Sequence, residues 1–257
     1  MNAGYYQTIF KRKSFHLFRN TGEKKLSEDD LNGIRTAYQS FEPLYPEIRT
    51  AIRIVPSPKP GLKADAEYCI LLYSEKKTNY LMNAGYLGEQ LDLYLVQNNI
   101  GSLWYGIGRP DEPVYDGLDY VIMFAVRKIS DESLFRKDMF RAKRKPLENI
   151  WTGDTLGIGE IARFAPSACN SQPWTVKNEN GVLTVSRYKK PVRIGIMSPK
   201  AAFYFNRIDI GIFLCILEIC MAKEGLKAAR KLFPDETDGE TSVVAEYSLT
   251  PCGDTFP

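Results

Sequence analysis

Two long apolar segments place the strongest constraint on how this chain can fold. Residues 84–99 carry leucine and tyrosine at helical spacing, and residues 208–222 are apolar apart from Asp209 and Glu218. The segment over residues 208–222 is too short to span a bilayer. The sequence therefore predicts two helices buried in a protein core.

The two segments are also similar to each other. When Gly85 is aligned with Gly211, Asn99 falls on Gly225, and both residue types tolerate the left-handed backbone conformation that ends a helix. A strand is predicted after each helix, so the same order of elements occurs in both halves. This order indicates an internal duplication with its boundary near Trp151. The predicted repeats are residues 1–150 and residues 151–257, packed as one intertwined unit.

Shorter patterns predict the remaining elements. Asn180-Gly181 is the commonest hairpin-turn dipeptide, because both positions need positive φ, and it lies between two alternating segments. Helices and strands are mixed without a regular βαβ alternation, which favours an α+β fold. The predicted elements are a helix over residues 26–40 with Ser27 as N-cap, a loop from Pro56 to Pro60, strands over 67–75, 120–128 and 242–249, a third helix from Leu156 to Phe164, and a hairpin over 174–188.

Charge and cysteine content exclude several classes of function. The net charge of +3 is too small for a general surface that binds nucleic acid or an anionic membrane. The five cysteines form no CxxC pair and the one histidine is His16, so no metal site is expected. Residues 1–15 lack the apolar stretch of a secretory signal. We therefore expect a cytoplasmic protein with reduced thiols that binds neither nucleic acid nor a membrane.

Two segments carry polar groups that suit a ligand. In residues 11–18, Arg12, Lys13 and Ser14 could bind a phosphate through charge-assisted hydrogen bonds, although a basic N-terminal arm has the same composition. In residues 164–174, FAPSACNSQPW, small and amide side chains follow a helix break. They could bring backbone and side-chain donors to a flat polar ligand, or could form a turn into the hairpin.

Three other patterns have ordinary interpretations. Residues 157–162 match GxGxxA, but no apolar strand precedes them, so we reject a dinucleotide-binding turn and predict a helix start. The basic run from Arg141 to Lys145 lacks aromatic or base-reading partners and is interpreted as a solvated linker. Cys169 has no histidine near it in the sequence, so we interpret it as a small packing residue rather than a catalytic thiolate.

Together these segments resemble a known family. Arg12-Lys13-Ser14 resembles the Arg-Arg-Ser or Arg-His-Ser opening of FMN-dependent nitroreductases, and residues 162–174 resemble that family's Ala-Pro-Ser-x-x-Asn-x-Gln-Pro-Trp segment. Residues 100–108 are similar to its Gly-x-x-Trp-x-Gly loop, and residues 143–150 to its Arg-x-Pro-Leu-Glu-Glu run. The resemblance implies a nitroreductase-like fold.

The distribution of these motifs along the chain is unusual. A typical member of the family carries both motifs in one short subunit and binds FMN at the interface of a homodimer. Here the Arg-x-Ser segment lies in the first predicted repeat and the Pro-Ser-x-x-Asn segment in the second. The resemblance therefore implies a fused pseudo-dimer of the nitroreductase-like group, a monomer that contains one complete flavin site.

The resemblance also implies roles for individual residues. Arg12 and Ser14, assisted by Lys13, would hold the phosphate and polar ring edge of FMN. Asn170 would face the ribityl chain or the ring carbonyls, and Gly106 and Ile107 would offer backbone N–H groups near flavin N5. No role is assigned to His16, which stands where the family often has Arg or Lys. The implied cofactor-binding residues are Arg12, Lys13, Ser14, Gly106, Ile107, Lys143, Arg144, Pro166, Ser167 and Asn170.

The implied activity is that of an NAD(P)H-dependent nitroreductase. Flavin N5 would take hydride from NADH or NADPH and pass it to a nitroaromatic, a quinone or a similar small acceptor, without a catalytic side chain. The aromatic residues Phe203, Tyr204 and Phe205 are expected to line the acceptor pocket. Two alternatives stay open: a flavin-binding sensor or carrier without turnover, and an interaction protein whose flavin site has decayed.

Overall fold

Helices and strands account for most of the described chain. The computed structural model describes residues 3–57, 65–188, 198–235 and 241–250. The helices are α1 (Tyr6–Lys11), α2 (Glu28–Ser40), α3 (Tyr80–Gln97), α4 (Gly159–Ala162) and α5 (Pro199–Lys223). The strands are β1 (Thr50–Pro56), β2 (Tyr68–Ser74), β3 (Ile100–Trp104), β4 (Val114–Tyr115), β5 (Leu118–Lys128), β6 (Trp151–Thr152), β7 (Trp174–Glu179), β8 (Val182–Tyr188), β9 (Lys227–Leu232) and β10 (Thr241–Thr250).

The strands form two sheets, and each sheet comes from one half of the chain. The first has the order β1-β2-β5-β3 with β4 beside β5, and the second has the order β6-β7-β8-β10-β9. Their pairings are antiparallel except for the short contact of β6 with β7. The element order β1-β2-α3-β3-β5 matches β7-β8-α5-β9-β10, and matching strands have matching neighbours.

Helices α3 and α5 pack against each other with their backbones in direct contact. A Cβ atom added to Gly85 would overlap the carbonyl of Ile208, and one added to Gly211 would overlap the carbonyl of Met82. Each glycine therefore faces the residue three positions before the other glycine. Only glycine allows so close an approach, and the reciprocal contact fixes how far each helix lies along the other.

The two halves share one hydrophobic core. Both long helices are buried on nearly all sides, as expected for helices that are apolar around their whole circumference. Trp174 of β7 is fully buried and stacks on Phe213 of α5, with 4.7 Å between ring centroids. Within the described ranges, no helix combines the length and the apolar composition that a membrane crossing requires.

Several predicted elements are confirmed. The hairpin turns at Asn180 and Gly181, which have φ of 51° and 76°. The Ser27 hydroxyl accepts from the Asp30 N–H at 3.1 Å, and the Asp30 carboxylate accepts from the Ser27 N–H at 3.0 Å, so α2 begins with a capping box. The α+β class is also confirmed, although α3 and α5 begin earlier than predicted.

Other predictions were wrong in extent. Pro56 ends strand β1 instead of opening a loop, and residues 58–60 of that predicted loop lie outside the described residues. Strands β1, β3, β4, β6 and β9 were not predicted. The third helix is the four-residue α4, because Leu156 and Gly157 have φ of 53° and 70°, which no helix can contain. The rejected GxGxxA pattern does lead into this helix start, as predicted.

Replacing Gly211 by alanine should separate α3 from α5, because the new Cβ would overlap a backbone carbonyl that cannot rotate away. We expect the free energy of unfolding to fall by about 3 kcal/mol, a typical cost of overpacking a buried site, measured by urea denaturation. Gly33→Ala is the control, since its Cβ would meet only the Tyr94 hydroxyl, at 2.8 Å, at the far end of a side chain that can shift. Equal stability of Gly211→Ala and the wild type would contradict the helix contact.

Candidate functional site

The Arg-x-Ser segment is anchored by a buried ion pair. Arg12 follows α1 and turns the chain, so that Ser14 runs beside Ser102 of β3. Arg12 is 5% exposed, and its Nε donates to the Asp92 carboxylate of α3 at 2.7 Å. Its Nη2 donates to Ser14 Oγ at 3.3 Å. The structure therefore brings Arg12 and Ser14 together, as predicted.

Asp92 is the acceptor on which this segment converges. It is fully buried and accepts hydrogen bonds from the Ser102 hydroxyl and from Trp104 Nε1, the latter at 3.0 Å, besides that from Arg12. Because two of these donors come from β3, Asp92 ties the N-terminal segment to both α3 and β3. Loss of one partner of such a pair typically costs about 3–5 kcal/mol of stability.

Lys13 points in another direction. Its Nζ donates to the Leu134 carbonyl at 2.7 Å and lies 5.0 Å from the ring centroid of Phe15. No contact between described residues joins Lys13 to Arg144 or Asn170. Lys13 therefore fastens the segment to the turn that contains Leu134, and its predicted role toward a phosphate has no support from side-chain contacts.

The segment after α4 has an unusual backbone. Cys169, Asn170 and Gln172 have φ of 48°, 54° and 47°, in the left-handed region that residues with a Cβ adopt at a cost of about 1 kcal/mol or more each. Inside the segment, Ser167 Oγ accepts from the Gln172 N–H at 2.9 Å. Pro166 is buried at its start, and Asn170 is exposed. The three strained residues need support from outside the segment.

Part of this support comes from the basic run. Arg144 Nη1 donates to Asn170 Oδ1 at 3.0 Å, and Asn170 Nδ2 donates to the Lys143 carbonyl at 3.1 Å. Arg144 Nη2 donates to the Phe164 carbonyl at 3.1 Å. The structure thus brings Lys143, Arg144 and Asn170 together, which the sequence analysis expected from the resemblance alone.

The positive charge of this cluster is not neutralised by the described residues. Burial, followed by repulsion from Arg12, Arg136 and Arg163, lowers the pKa of Arg144 to about 10. Burial and repulsion from Arg12 also lower the pKa of Arg136. Arg144 Nε is buried without an acceptor, and no described carboxylate forms an ion pair with Arg144 or Arg136. Half-buried cations in this state are suited to bind an anion.

The loop after β3 offers two backbone donors. The N–H groups of Gly106 and Ile107 have no acceptor among the described residues, whereas those of Tyr105 and Gly108 donate to backbone carbonyls. Ile107 is 65% exposed, so the loop faces solvent. Phe205 of α5 closes one side, because a Cβ on Gly106 would lie 2.9 Å from its ring.

The three aromatic residues predicted for the acceptor pocket separate. Phe205 lies against Gly106, and Tyr204 donates from its hydroxyl to the Val121 carbonyl at 2.7 Å. Phe203 instead packs under Arg207, with 3.7 Å between the guanidinium carbon and the ring centroid. Successive residues of a helix point in different directions, and of the three rings it is that of Phe205 that lies against the loop after β3.

The chain matches a family of known proteins over most of its length. A family described as "Putative TM nitroreductase" matches residues 5–221. The chain belongs to this nitroreductase family. No curated protein has significant sequence similarity to it.

Solved structures of nitroreductases are similar to this family member. A "putative nitroreductase" from Thermotoga maritima is 21% identical, covers 98% of this chain and 95% of its own, and superimposes with a TM-score of 0.62, which shows a shared fold. A nitroreductase family protein from Clostridium difficile is 14% identical over 58% of this chain and 96% of its own, with a TM-score of 0.43. A Desulfovibrio desulfuricans protein solved in complex with FMN is 14% identical over 58% of this chain and 95% of its own, with a TM-score of 0.39.

The sequence analysis of this nitroreductase missed Arg136. It lies in the 135–146 segment, whose basic end was interpreted as a solvated linker, but Phe135 and Met139 of that segment are buried. The Arg136 N–H donates to the Lys11 carbonyl at 3.0 Å, which holds Arg136 beside the residue that precedes Arg12. The spacing of the two buried residues was the signal that this stretch packs against the protein.

Two further predictions concern cysteine and histidine. Cys169 is exposed on the strained segment, so its interpretation as a packing residue was wrong. His16 is exposed as well. In the described part of the chain, no three His, Cys, Asp or Glu side chains are grouped so as to hold a metal ion.

Asp209 of α5 supports the strained segment from below. Its Oδ1 accepts from the Ala168 N–H at 2.9 Å, and its Oδ2 accepts from the Ser171 hydroxyl at 3.1 Å. Burial raises the pKa of Asp209 to about 7, although these two hydrogen bonds act in the opposite direction. The carboxyl group therefore titrates close to neutral pH in the folded protein.

This shift predicts how stability depends on pH. Between about pH 4 and pH 7 the folded state retains a proton on Asp209 that the unfolded state has lost, so stability falls as pH rises through this window. In Asp209→Asn this loss should be absent. We expect the free energy of unfolding of the variant, relative to that of the wild type, to be higher at pH 8 than at pH 5 by on the order of 1–3 kcal/mol. Urea denaturation at the two pH values measures this difference. An equal difference at both pH values would contradict the shift.

Proposed function

We propose that this nitroreductase-family protein binds one FMN and acts as an NAD(P)H-dependent oxidoreductase. The observation that carries the proposal is the group of arginines, Arg12, Arg136 and Arg144, beside the Pro-Ser-x-x-Asn segment. Two of the three have lowered pKa values and no carboxylate partner among the described residues. A group with at least one negative charge is needed to offset them.

The phosphate of FMN suits this group. Arg144 Nε is a buried donor without an acceptor, and a phosphate oxygen would supply one. Arg136 is half-buried and near Arg12, so the same phosphate would offset the repulsion between them. Arg12 already forms an ion pair with Asp92. We propose that it orients Ser14 and adds to the positive electrostatic potential of the site.

The loop after β3 suits the isoalloxazine ring. The N–H groups of Gly106 and Ile107 are donors without an acceptor among the described residues, and such donors stabilise the electron-rich state of a flavin. The ring of Phe205 borders this loop and could form one wall of the acceptor pocket. Asn170, which accepts a hydrogen bond from Arg144, would contribute polar contacts to the flavin from the second half of the chain.

The chemistry follows from the cofactor. When bound, FMN supplies the centre that accepts hydride from NADH or NADPH and gives it to a nitroaromatic, a quinone or a similar small acceptor. The described residues of the site bind and orient, and none is proposed as a proton donor. A flavin-binding sensor or carrier, and an interaction protein without flavin, are the other outcomes of the test below.

We also propose that the chain is a duplicated, fused pseudo-dimer with repeats over residues 1–150 and 151–257. The matching strand orders of the two sheets support this proposal. So does the reciprocal contact of Gly85 with Ile208 and of Gly211 with Met82, which is the contact that a two-fold axis between α3 and α5 would generate. A fused dimer contains its own interface, and we propose that the protein is a monomer.

A contrast between the two halves supports a single flavin per chain. Ile107 stands three residues after the end of β3, and Asp235 stands three residues after the end of β9. The Asp235 N–H donates to Asn79 Oδ1 at 2.9 Å, and its carboxylate accepts two hydrogen bonds from buried Arg187 at 2.6 and 2.7 Å. In the described part of the counterpart loop, residues 233–235, Asp235 thus has internal partners, whereas Gly106 and Ile107 in the loop after β3 have donors without an acceptor among the described residues.

A cytoplasmic location is part of the proposal. Four cysteines are free thiols, Cys69, Cys169, Cys215 and Cys220, whereas Cys252 lies outside the described residues. Unpaired cysteines are usual in a reducing compartment. This supports the proposed location.

The deciding measurement is the visible absorbance spectrum of the purified protein with added FMN, before and after anaerobic NADH and then NADPH. We expect one FMN per chain and bleaching of the flavin band by at least one donor. A bound flavin that stays oxidised would instead indicate a sensor or carrier. A protein that takes up no FMN would refute the site, and two FMN per chain would refute the single-site proposal.

Arg136→Met should separate the phosphate contact from the rest of the site. We expect FMN to bind about tenfold more weakly, the value of one charge-assisted hydrogen bond, and riboflavin, which lacks the phosphate, to bind as it does to the wild type. Fluorescence titration measures both. The stability of the flavin-free protein should stay the same or rise, because a repelled cation is removed.

The exposed neighbour Lys137 provides the control for this prediction. Lys137→Met removes the same charge but should leave both affinities unchanged. If both variants bound FMN equally weakly, only the overall electrostatic field of the protein would affect FMN affinity. If Arg136→Met also lowered the affinity for riboflavin, Arg136 would not act on the phosphate.

A further inference from the structure

The strained segment over residues 166–173 is held by a side chain that no motif contains. Its three left-handed residues, Cys169, Asn170 and Gln172, would relax to other conformations if the surrounding structure did not hold them. Asp209 accepts one hydrogen bond on each side of the first two, from the Ala168 N–H and from the Ser171 hydroxyl. These contacts link the segment to α5, together with a longer contact of the Ser171 hydroxyl with Asn206 Oδ1 at 3.4 Å.

Asp209 is suited to hold the strained segment because its own position on α5 is fixed by burial and helix packing. It is 2% exposed and lies on α5 two residues before Gly211, where the helix is in backbone contact with α3. Its effect extends beyond the segment, because Asn170 Oδ1 in turn accepts from Arg144 at 3.0 Å. The carboxyl group therefore orients Asn170 directly through the backbone and Arg144 through Asn170.

The first half of the chain contains a hydrogen bond equivalent to the one that Asp209 accepts from Ala168. Asn83 lies on α3 two residues before Gly85, is fully buried, and accepts from the Tyr45 N–H at 3.0 Å. Tyr45 lies in the segment that leads into β1, as Ala168 lies in the segment that leads into β7. The segment around Tyr45 has no left-handed residue and is held by one acceptor oxygen of Asn83. The strained segment has three, and there Asp209 uses a second oxygen to hold Ser171.

We propose that Asp209 is a positioning residue for flavin binding, which acts by holding Ala168 and Ser171 so that Asn170 and Arg144 face the cofactor. The inference rests on the proposed function, since it assumes that FMN is the ligand. It assigns no contact between Asp209 and the cofactor. Asp209→Asn, which copies the side chain of Asn83, preserves an oxygen for the Ala168 N–H and an amide N–H toward the Ser171 hydroxyl.

The test compares three variants by FMN fluorescence titration and by urea denaturation. Asp209→Ala should weaken FMN binding at least about tenfold, since it frees the segment from both hydrogen bonds, and Asp209→Asn should restore the wild-type affinity. Asn83→Ala is the matched control: it loses the equivalent hydrogen bond in the other half, should lower stability, and should leave FMN affinity unchanged. Equal weakening by Asn83→Ala and Asp209→Ala would overturn the proposal.

Ser171→Ala covers the case in which Asp209→Ala does not fold. It removes the partly exposed hydroxyl that lies 3.1 Å from the second carboxylate oxygen of Asp209 and 3.4 Å from Asn206 Oδ1, and should weaken FMN binding about threefold to tenfold. Wild-type affinity in this variant would overturn the role of the second oxygen.

Failure of the proposed function would be recognised separately, because the wild type itself would then bind no FMN. In that case hydrogen exchange of the Ala168 amide in the flavin-free protein still tests the anchor. Fast exchange in Asp209→Ala and slow exchange in Asp209→Asn would support it. Slow exchange in both variants would overturn it.

Discussion

The backbone contact of α3 with α5 is the constraint on which the rest of the structure depends. Gly85 and Gly211 let each helix touch a carbonyl of the other, so neither helix can slide without a clash. Asp92 on α3 anchors the Arg-x-Ser segment, and Asp209 on α5 anchors the Pro-Ser-x-x-Asn segment. The distance between the two halves of the site is therefore fixed by the register of this one helix pair.

Charge is distributed unevenly over the site. Arg12 has its counter-ion in Asp92, and Arg144 has none among the described residues. Glu89 does not compensate, because burial and the nearby Asp92 raise its pKa well above the ordinary range, with Arg12 acting in the opposite direction. Three arginines against the Asp92 carboxylate leave an excess of positive charge at the site, and the raised pKa of Glu89 favours the form that does not reduce this excess.

Features that depend on neighbouring residues were predicted well from the sequence. The hairpin at Asn180-Gly181 and the capping box at Ser27 follow from backbone preferences that act within a few residues. The meeting of Arg144 with Asn170 was expected only from the family resemblance. Lys13 and Arg136 carry the same charge, and nothing local tells which of them packs near Arg144: Lys13 donates to the Leu134 carbonyl, whereas repulsion from Arg136 contributes to the lowered pKa of Arg144.

Contacts that bridge long stretches of chain decided the rest. Arg12 and Asp92 are 80 positions apart, and Ala168 and Asp209 are 41 apart. Burial and electrostatic repulsion depend on distance through space, which the local pattern does not contain.

The sequence by itself determined the two long buried helices, the hairpin, the α+β class and the segments that make up the site. Only the tertiary structure decided which arginine is neutralised, which carboxyl group holds the strained segment, and which N–H groups remain without partners. The physical reason is that local preferences fix the conformation of each segment, whereas the net charge and the free donors of a site exist only after distant segments have packed together.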